Sequence, residues 1–198
     1  MVNQFIEKHP LQPFLPSKAK WLFLGSFPPK QQRWSMDFFY PNFQNDMWRI
    51  FGLIFFQNKN HFVNINEKRF EKDAIVTFLT KQHIAMYDTA AAVIRHKDNA
   101  SDKDLEIVKA VDIGKLVRNL PDLQAIVTTG QKASETVIEY FAEKDILITP
   151  PAVGTYASFV FENSKLRLFR MPSSSRAYPL SLEKKADIYK KIFEKSIQ

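Results

Sequence analysis

Four short apolar runs, each bounded by turn-forming residues, set the rhythm of the chain: Trp21 to Gly25, Ile84 to Tyr87, Ala125 to Thr129 and Leu166 to Met171. Their lack of apolar/polar alternation predicts strands buried on both faces. Between them the spacing changes to that of amphipathic helices, in NDMWRIFGLIFF from Asn45, EKRFEKDAIVTFLTKQ from Glu67 and GQKASETVIEYFAEK from Gly130. A basic helix from Leu182 to Ile197 closes the chain. Strand and helix in alternation predict an α/β fold: a three-layer α/β/α sandwich around a central, mainly parallel four-stranded sheet with right-handed crossovers. Tyr156 to Phe161, followed by Glu162-Asn163-Ser164, reads as one arm and the turn of a hairpin leading into the last strand. Asp98 to Asp104 is the expected exposed loop. With no internal repeat and no low-complexity tract, residues 1–198 read as a single domain.

In a sheet of this kind the ligand crevice lies beyond the carboxyl ends of the strands. Chemistry is therefore expected in the loops that leave them: Gly25-Ser26-Phe27-Pro28-Pro29, Asp88-Thr89-Ala90, Gly130-Gln131 and Pro172-Ser173-Ser174-Ser175-Arg176. The first of these stops a buried strand with a glycine and then two prolines, a rigid turn with few amide donors.

Composition narrows the chemistry. The chain has no cysteine, which removes disulfides, thiolate nucleophiles and cysteine-ligated metals. His9, His61, His83 and His96 show no paired ligand spacing, so no metal site is expected and catalysis falls to oxygen and amide side chains. A net charge of +7 points to an acidic partner, of which nucleic acid is the commonest. The N-terminus lacks the long apolar core of a signal peptide and no run approaches a membrane span, so a cytoplasmic protein with no membrane partner is expected. No strand is followed by GxGxxG or GxxxxGK, which disfavours a nucleotide-binding enzyme of flavodoxin-like architecture.

Singly, the loop motifs are common: a strand ending in Gly-Ser, a solvated Pro-Ser-Ser-Ser turn, an aspartate that caps a helix. In order they are far more specific. GSFPP, FFYPNFQNDMWRIFG, HIAMYDTAAAVIRHKDNASDKDL, VTTG and RMPSSSRAY together resemble the uracil-DNA glycosylase superfamily across nearly the whole chain. The FYPNFQNDMW and MPSSS segments are most similar to its hypoxanthine-DNA glycosylase and mismatch-specific thymine/uracil branches. The resemblance implies a monofunctional base-excision enzyme that flips a deaminated base, uracil or hypoxanthine, out of DNA and hydrolyses its N-glycosidic bond with water. No cofactor and no obligate protein partner is implied; the partner is DNA, as damaged duplex or single strand, and the family acts as monomers. The residue inventory suits that task, which needs an aromatic stacking partner, a reader for the base edge, phosphate grips and a filler for the vacated hole.

Tyr40, five places before Asn45, matches the stacking position of the family. Phe38 and Phe39 are candidates for core or wall, and Trp48 for core. Asn45 matches an asparagine of the NxxW pattern, whose amide orders the loop, holds water or stabilises the departing base; Asn42 and Asp46 flank it. Asp88 stands where family members read the base. An ionised carboxylate accepts from a ring N–H but cannot donate to a carbonyl, which leans toward hypoxanthine or mixed specificity. Pro172, Ser173, Ser174 and Ser175 match the second motif, which compresses the phosphates beside the flipped nucleotide, as Gly25, Ser26 and Pro28 do in the first. Arg176 or Tyr178 is placed to wedge into the stack. Lys30 and Arg33 are the phosphate candidates past the first motif, whereas Lys184, Lys185, Lys190, Lys191 and Lys195 are expected on the solvated side of the last helix.

One position departs from the pattern. Many active members carry aspartate or asparagine at the third place of the first motif, where Phe27 stands here as part of the base-binding wall. A phenyl ring neither accepts a proton nor orients water. Either another residue handles the water, Asn45 first with Asp37 or Asp46 as carboxylate alternatives, or the fold has lost the reaction and serves as a nucleic-acid-binding module. The first is chemically tolerable because stabilising the leaving group can matter more than a strong base.

Overall fold

The computed structural model describes residues 5–97 and 104–194. The expected exposed loop lies outside them except for Asp104, as does the end of the closing helix. A central five-stranded sheet runs in the order β5 (Ile84–Asp88), β2 (Trp21–Gly25), β8 (Ala125–Thr129), β10 (Ser164–Met171) and β9 (Thr155–Phe161). The first four are parallel, and β9 runs antiparallel to β10 along its whole length. The four expected strands are thus present, but the sheet has five, because the hairpin arm at 155–161 pairs fully with β10 and becomes its edge.

Both faces of the sheet are apolar, which is why its strands read as unbroken runs. Phe23, Met86, Val127 and Phe169 point to one side, beneath α1 (Met47–Phe56), α2 (Lys72–Lys81) and α5 (Leu182–Glu194). Leu22, Leu24, Ala85, Ile126 and Leu168 point to the other, against α3 (Ile113–Arg118) and α4 (Gln131–Ala142). This is the α/β/α sandwich the alternation predicts. α3 was not expected from the sequence, although Asp112 signals it: its Oδ1 accepts from the Lys115 amide at 3.0 Å and caps the helix.

Two further elements depart from the expected pattern. The segment from Glu67 does not begin as helix: β4 (Arg69–Phe70) pairs with β3 (Val63–Asn64), which turns Phe70 into the core, and α2 starts only at Lys72. A second, antiparallel sheet joins β1 (Ile6–Lys8), β6 (Ala90–Arg95) and β7 (Leu105–Ala110). It grows directly out of the main sheet, since only Thr89 separates β5 from β6 and the Thr89 and Ala90 amides donate to the Gly25 and Ser26 carbonyls at 2.9 and 3.1 Å. The polar loop expected at 88–90 is therefore a bend between two strands.

Thr89 is fully buried at this bend and its Oγ1 has no partner among the described residues. A desolvated hydroxyl without a hydrogen bond costs stability that an apolar side chain of the same shape does not. Thr89→Val is expected to leave urea-unfolding stability unchanged or raise it by about 1 kcal/mol.

Candidate active site

The register of the sheet aligns the ends of its parallel strands, with Gly25 opposite Asp88 and Met171 opposite Thr129. Gly25 is glycine because of what approaches it. A Cβ there would lie 2.3 Å from Asp88 Oδ1 and 3.4 Å from the Tyr40 hydroxyl, so the carboxylate and the phenol both close over bare backbone. The Tyr40 hydroxyl is hydrogen-bonded to Thr129 Oγ1 at 2.8 Å, and Thr129 Oγ1 reaches the Leu24 carbonyl at 3.4 Å. Tyr40 takes a left-handed φ of 50° and sets its ring edge-on to the buried Trp48. Phe38 and Phe39 belong to the core, and Trp48 donates from Nε1 to the Phe39 carbonyl at 3.1 Å. Gly25→Ala is expected to displace Asp88 and Tyr40 together and to cost about 1–3 kcal/mol of stability in urea unfolding.

The rest of the first motif is a wall. Ser26 and Pro28 are buried, and the half-buried Phe27 packs on Ala90, Val93 and Leu105 of the second sheet. The Pro28 carbonyl accepts from Arg95 Nη2 at 3.1 Å and the Pro29 carbonyl from Trp34 Nε1 at 2.7 Å, so the chain leaving the motif is held on both sides. Lys30 and Arg33 stand exposed around a short 3-10 turn, Gln31–Arg33. Asp37 is exposed as well, beside the buried Phe38.

Asn45 and Asp46 join the first half of the site to the serine loop. Asn45 pairs with Ser175 in an isolated antiparallel bridge, and the Asp46 amide donates to the Ser174 carbonyl at 2.9 Å. Asn45 Oδ1 accepts from the Met47 amide at 2.9 Å at the start of α1, which leaves its Nδ2 as the remaining donor. Asn42 shapes the preceding turn, its Oδ1 accepting from Gln44 and its carbonyl from Asn45. Arg49 fixes the same turn from below, donating to the Phe43 and Asn45 carbonyls from over the Phe43 and Phe70 rings. Burial, then the nearby Arg176 charge, lowers its pKa from the ordinary arginine value.

In the serine loop, Ser173 and Ser175 each accept through Oγ from the amide two residues on, at 3.2 and 3.3 Å, which holds the backbone in tight turns. Ser174 is buried, whereas Ser175 and Arg176 are exposed and Tyr178 is half-buried. The Tyr189 hydroxyl donates to the Pro172 carbonyl at 2.7 Å; burial first, then Tyr40 and Tyr178, pushes its pKa well above the ordinary tyrosine value, so it stays a donor.

Two residues at the site were not foreseen. Lys185, expected on the solvated side of the last helix, is fully buried: its Nζ donates to Asp46 Oδ2 at 2.9 Å and to the Ser175 carbonyl at 2.7 Å. The sequence does carry a signal, since Leu182, Lys185, Ala186, Tyr189 and Ile192 share one helical stripe. Arg176 Nε adds a longer contact to Asp46 Oδ1 at 3.5 Å, so the Asp46 carboxylate is engaged on both oxygens. The other residue is His9, whose Nε2 lies 2.9 Å from Asp88 Oδ2. No spacing in the sequence connects two residues 79 positions apart.

Among the described residues, no group of three or more His, Asp or Glu side chains converges to hold a metal ion, and no helix is long and apolar enough to cross a membrane. The architecture is a three-layer α/β/α sandwich with its candidate site beyond the carboxyl ends of the parallel strands. A solved structure makes the likeness concrete: the solution NMR structure from Methanosarcina acetivorans of a "putative Uracil DNA glycosylase" superposes with a TM-score of 0.60 over 96% of this chain and 99% of that one. The two sequences are 19% identical, a likeness of fold. No family model and no curated protein matches the sequence.

Proposed function

We propose that the protein is a monofunctional DNA glycosylase that flips a deaminated base, uracil or hypoxanthine, out of DNA and hydrolyses its N-glycosidic bond. The observation that carries this reading is the meeting of Asp88 Oδ1 and the Tyr40 hydroxyl over Gly25 at the strand ends. A carboxylate acceptor and the hydroxyl end of an aromatic side chain meeting at the strand ends suit a flat base read along one edge beside an aromatic ring. The fold shared with the Methanosarcina acetivorans protein supports the same reading.

In this reading Tyr40 stacks on the flipped base and Asp88 accepts from its ring N–H. Asn45 Nδ2 donates to the leaving base or to the attacking water. Glycosidic cleavage builds negative charge on the departing base, and a fixed donor lowers that cost most in the transition state. Asp46 is less suited to proton chemistry, because Lys185 and Arg176 occupy both its oxygens. The turns of Ser173 and Ser175 bring backbone close to the strand phosphates, with Ser26, Lys30 and Arg33 across from them. Arg176 and Tyr178, next in the loop, supply the wedge.

A second reading rests on Phe27. Its ring lies against the second sheet, where a catalytic acid or amide would otherwise handle water, and this favours a nucleic-acid-binding module without catalysis. One experiment separates the two. The purified protein is incubated with labelled duplexes carrying uracil, hypoxanthine or xanthine opposite each normal base, followed by alkaline cleavage of abasic sites. The glycosylase reading predicts cut strands with at least one lesion. Intact strands throughout, together with salt-sensitive binding to undamaged DNA, would establish the binding module instead.

A further inference from the structure

The contact between His9 and Asp88 joins a residue outside every motif to the base-reading position, and the topology explains how it arises. Because β6 follows β5 after a single residue, its partner strand is carried to the end of β5. β1 pairs with β6 through Lys8 opposite Ala92, and the ladder continues as the His9 amide donates to the Ala91 carbonyl at 2.9 Å. The imidazole is thereby delivered beside Asp88, and both side chains are largely shielded from solvent, 3% and 9% exposed. The ring is seated by the Phe27 edge, at 5.3 Å between centroids, and by Tyr87 at 4.7 Å.

The surroundings also hold the ring at both nitrogens. The Leu11 amide and carbonyl lie 3.2 and 3.0 Å from His9 Nδ1, and Nε2 faces Asp88 Oδ2 at 2.9 Å. Oδ2 is thus occupied and the carboxyl cannot rotate freely. Oδ1 is the oxygen left over Gly25.

We propose that His9 is a positioning residue that fixes the Asp88 carboxylate as a one-oxygen acceptor and so makes the site selective for deaminated bases over their parents. This inference rests on the glycosylase-type reading of the crevice. Its chemistry is that of deamination: cytosine N3 and adenine N1 are acceptors, whereas uracil N3 and hypoxanthine N1 carry a hydrogen. An acceptor held in place and unable to turn pairs with the lactam N–H and opposes the parent lone pair. Without His9 the carboxyl can rotate, and the discrimination is lost.

The test uses equilibrium binding, so that it does not depend on turnover. Duplexes carry one 2′-fluoro-arabino nucleotide, which resists glycosidic cleavage, bearing uracil, hypoxanthine, cytosine or adenine. The wild-type protein is expected to prefer each deaminated base over its parent by about tenfold, a single well-placed edge contact. His9→Leu should erase the preference while binding to undamaged duplex stays within about twofold. His9→Gln, which retains an N–H donor, should restore most of it, a rescue that a purely structural role would not produce. In the His9→Leu/Asp88→Asn double variant the preference should be no lower than in Asp88→Asn alone, because the two residues act as one unit. Circular dichroism confirms that each variant is folded. An unchanged preference in His9→Leu, or no preference in the wild type, would overturn the proposal. A preference in the wild type without cleavage of ordinary uracil or hypoxanthine duplexes would uphold it and reject the catalytic reading.

Discussion

In the proposed glycosylase reaction, Asn45→Ala is expected to lower single-turnover cleavage of the preferred lesion duplex by about 100- to 1000-fold, the usual cost of deleting one fixed donor at a developing negative charge. The same change removes the Oδ1 cap on the Met47 amide, which costs about 1 kcal/mol and leaves the protein folded. A companion variant separates the two effects. Asn45→Asp keeps the acceptor for Met47 but has no amide donor, so its thermal stability should match the wild type while its cleavage falls as far as that of Asn45→Ala. If Asn45→Asp instead retains activity, the residue works by accepting from water, and the leaving-group role is wrong. Undiminished cleavage in both variants would transfer the catalytic assignment to Asp37, the exposed carboxylate.

Lys185→Met should have the largest effect on stability, about 3–5 kcal/mol in urea unfolding. The lysine has no exposed surface and is bonded to Asp46 and to the Ser175 carbonyl, so its removal strands a buried carboxylate and leaves that carbonyl with the Tyr178 amide. Arg49 and Arg176 remain as cations near Asp46, but Arg176, at 3.5 Å, is about half exposed, and screening by solvent limits what it can offset. Pairing the change with Asp46→Asn should recover much of the loss, because the uncompensated charge is then gone. The activity of Lys185→Met should fall further than its stability explains, since the same lysine holds the carbonyl of the serine loop. A stability within 1 kcal/mol of wild type would show that the loop is not anchored by this pair.

The layers of the fold were legible because a strand buried on both faces leaves an unmistakable run, as in WLFLG or AIVTT, and a helix on a sheet leaves a stripe. The second sheet was not legible. AAAVIR follows Asp88 after one residue, and its partners at 6–8 and 105–110 are remote in sequence, so no local period marks the pairing. The ribbon at Arg69 and Phe70 was hidden for a related reason: its charged residues fit a helix face equally well, and only the demand to bury Phe70 decides for a strand.

At the site, residue types were readable and partnerships were not. The order of GSFPP, FYPNFQNDMW, the strand ending in Asp88, and MPSSS places the candidates in strand-end loops because loop position follows from element order. Gly25 read as the stop of a strand, and only the fold shows that its missing side chain makes room for Asp88 and Tyr40. Lys185 read as one more surface charge, although its place on the apolar stripe of α5 puts it under the serine loop.

By itself, then, the sequence determined the α/β/α layering, the strand-end loops and the absence of thiol chemistry, all of which depend on local periodicity, order and composition. The tertiary structure alone decided which charges are buried and whom they meet: Lys185 with Asp46, 139 positions apart, and His9 with Asp88, 79 apart. The reason is physical. Periodicity records which face of an element avoids water, whereas a desolvated ion pair or an oriented carboxylate exists only once distant segments have packed and closed the solvent out.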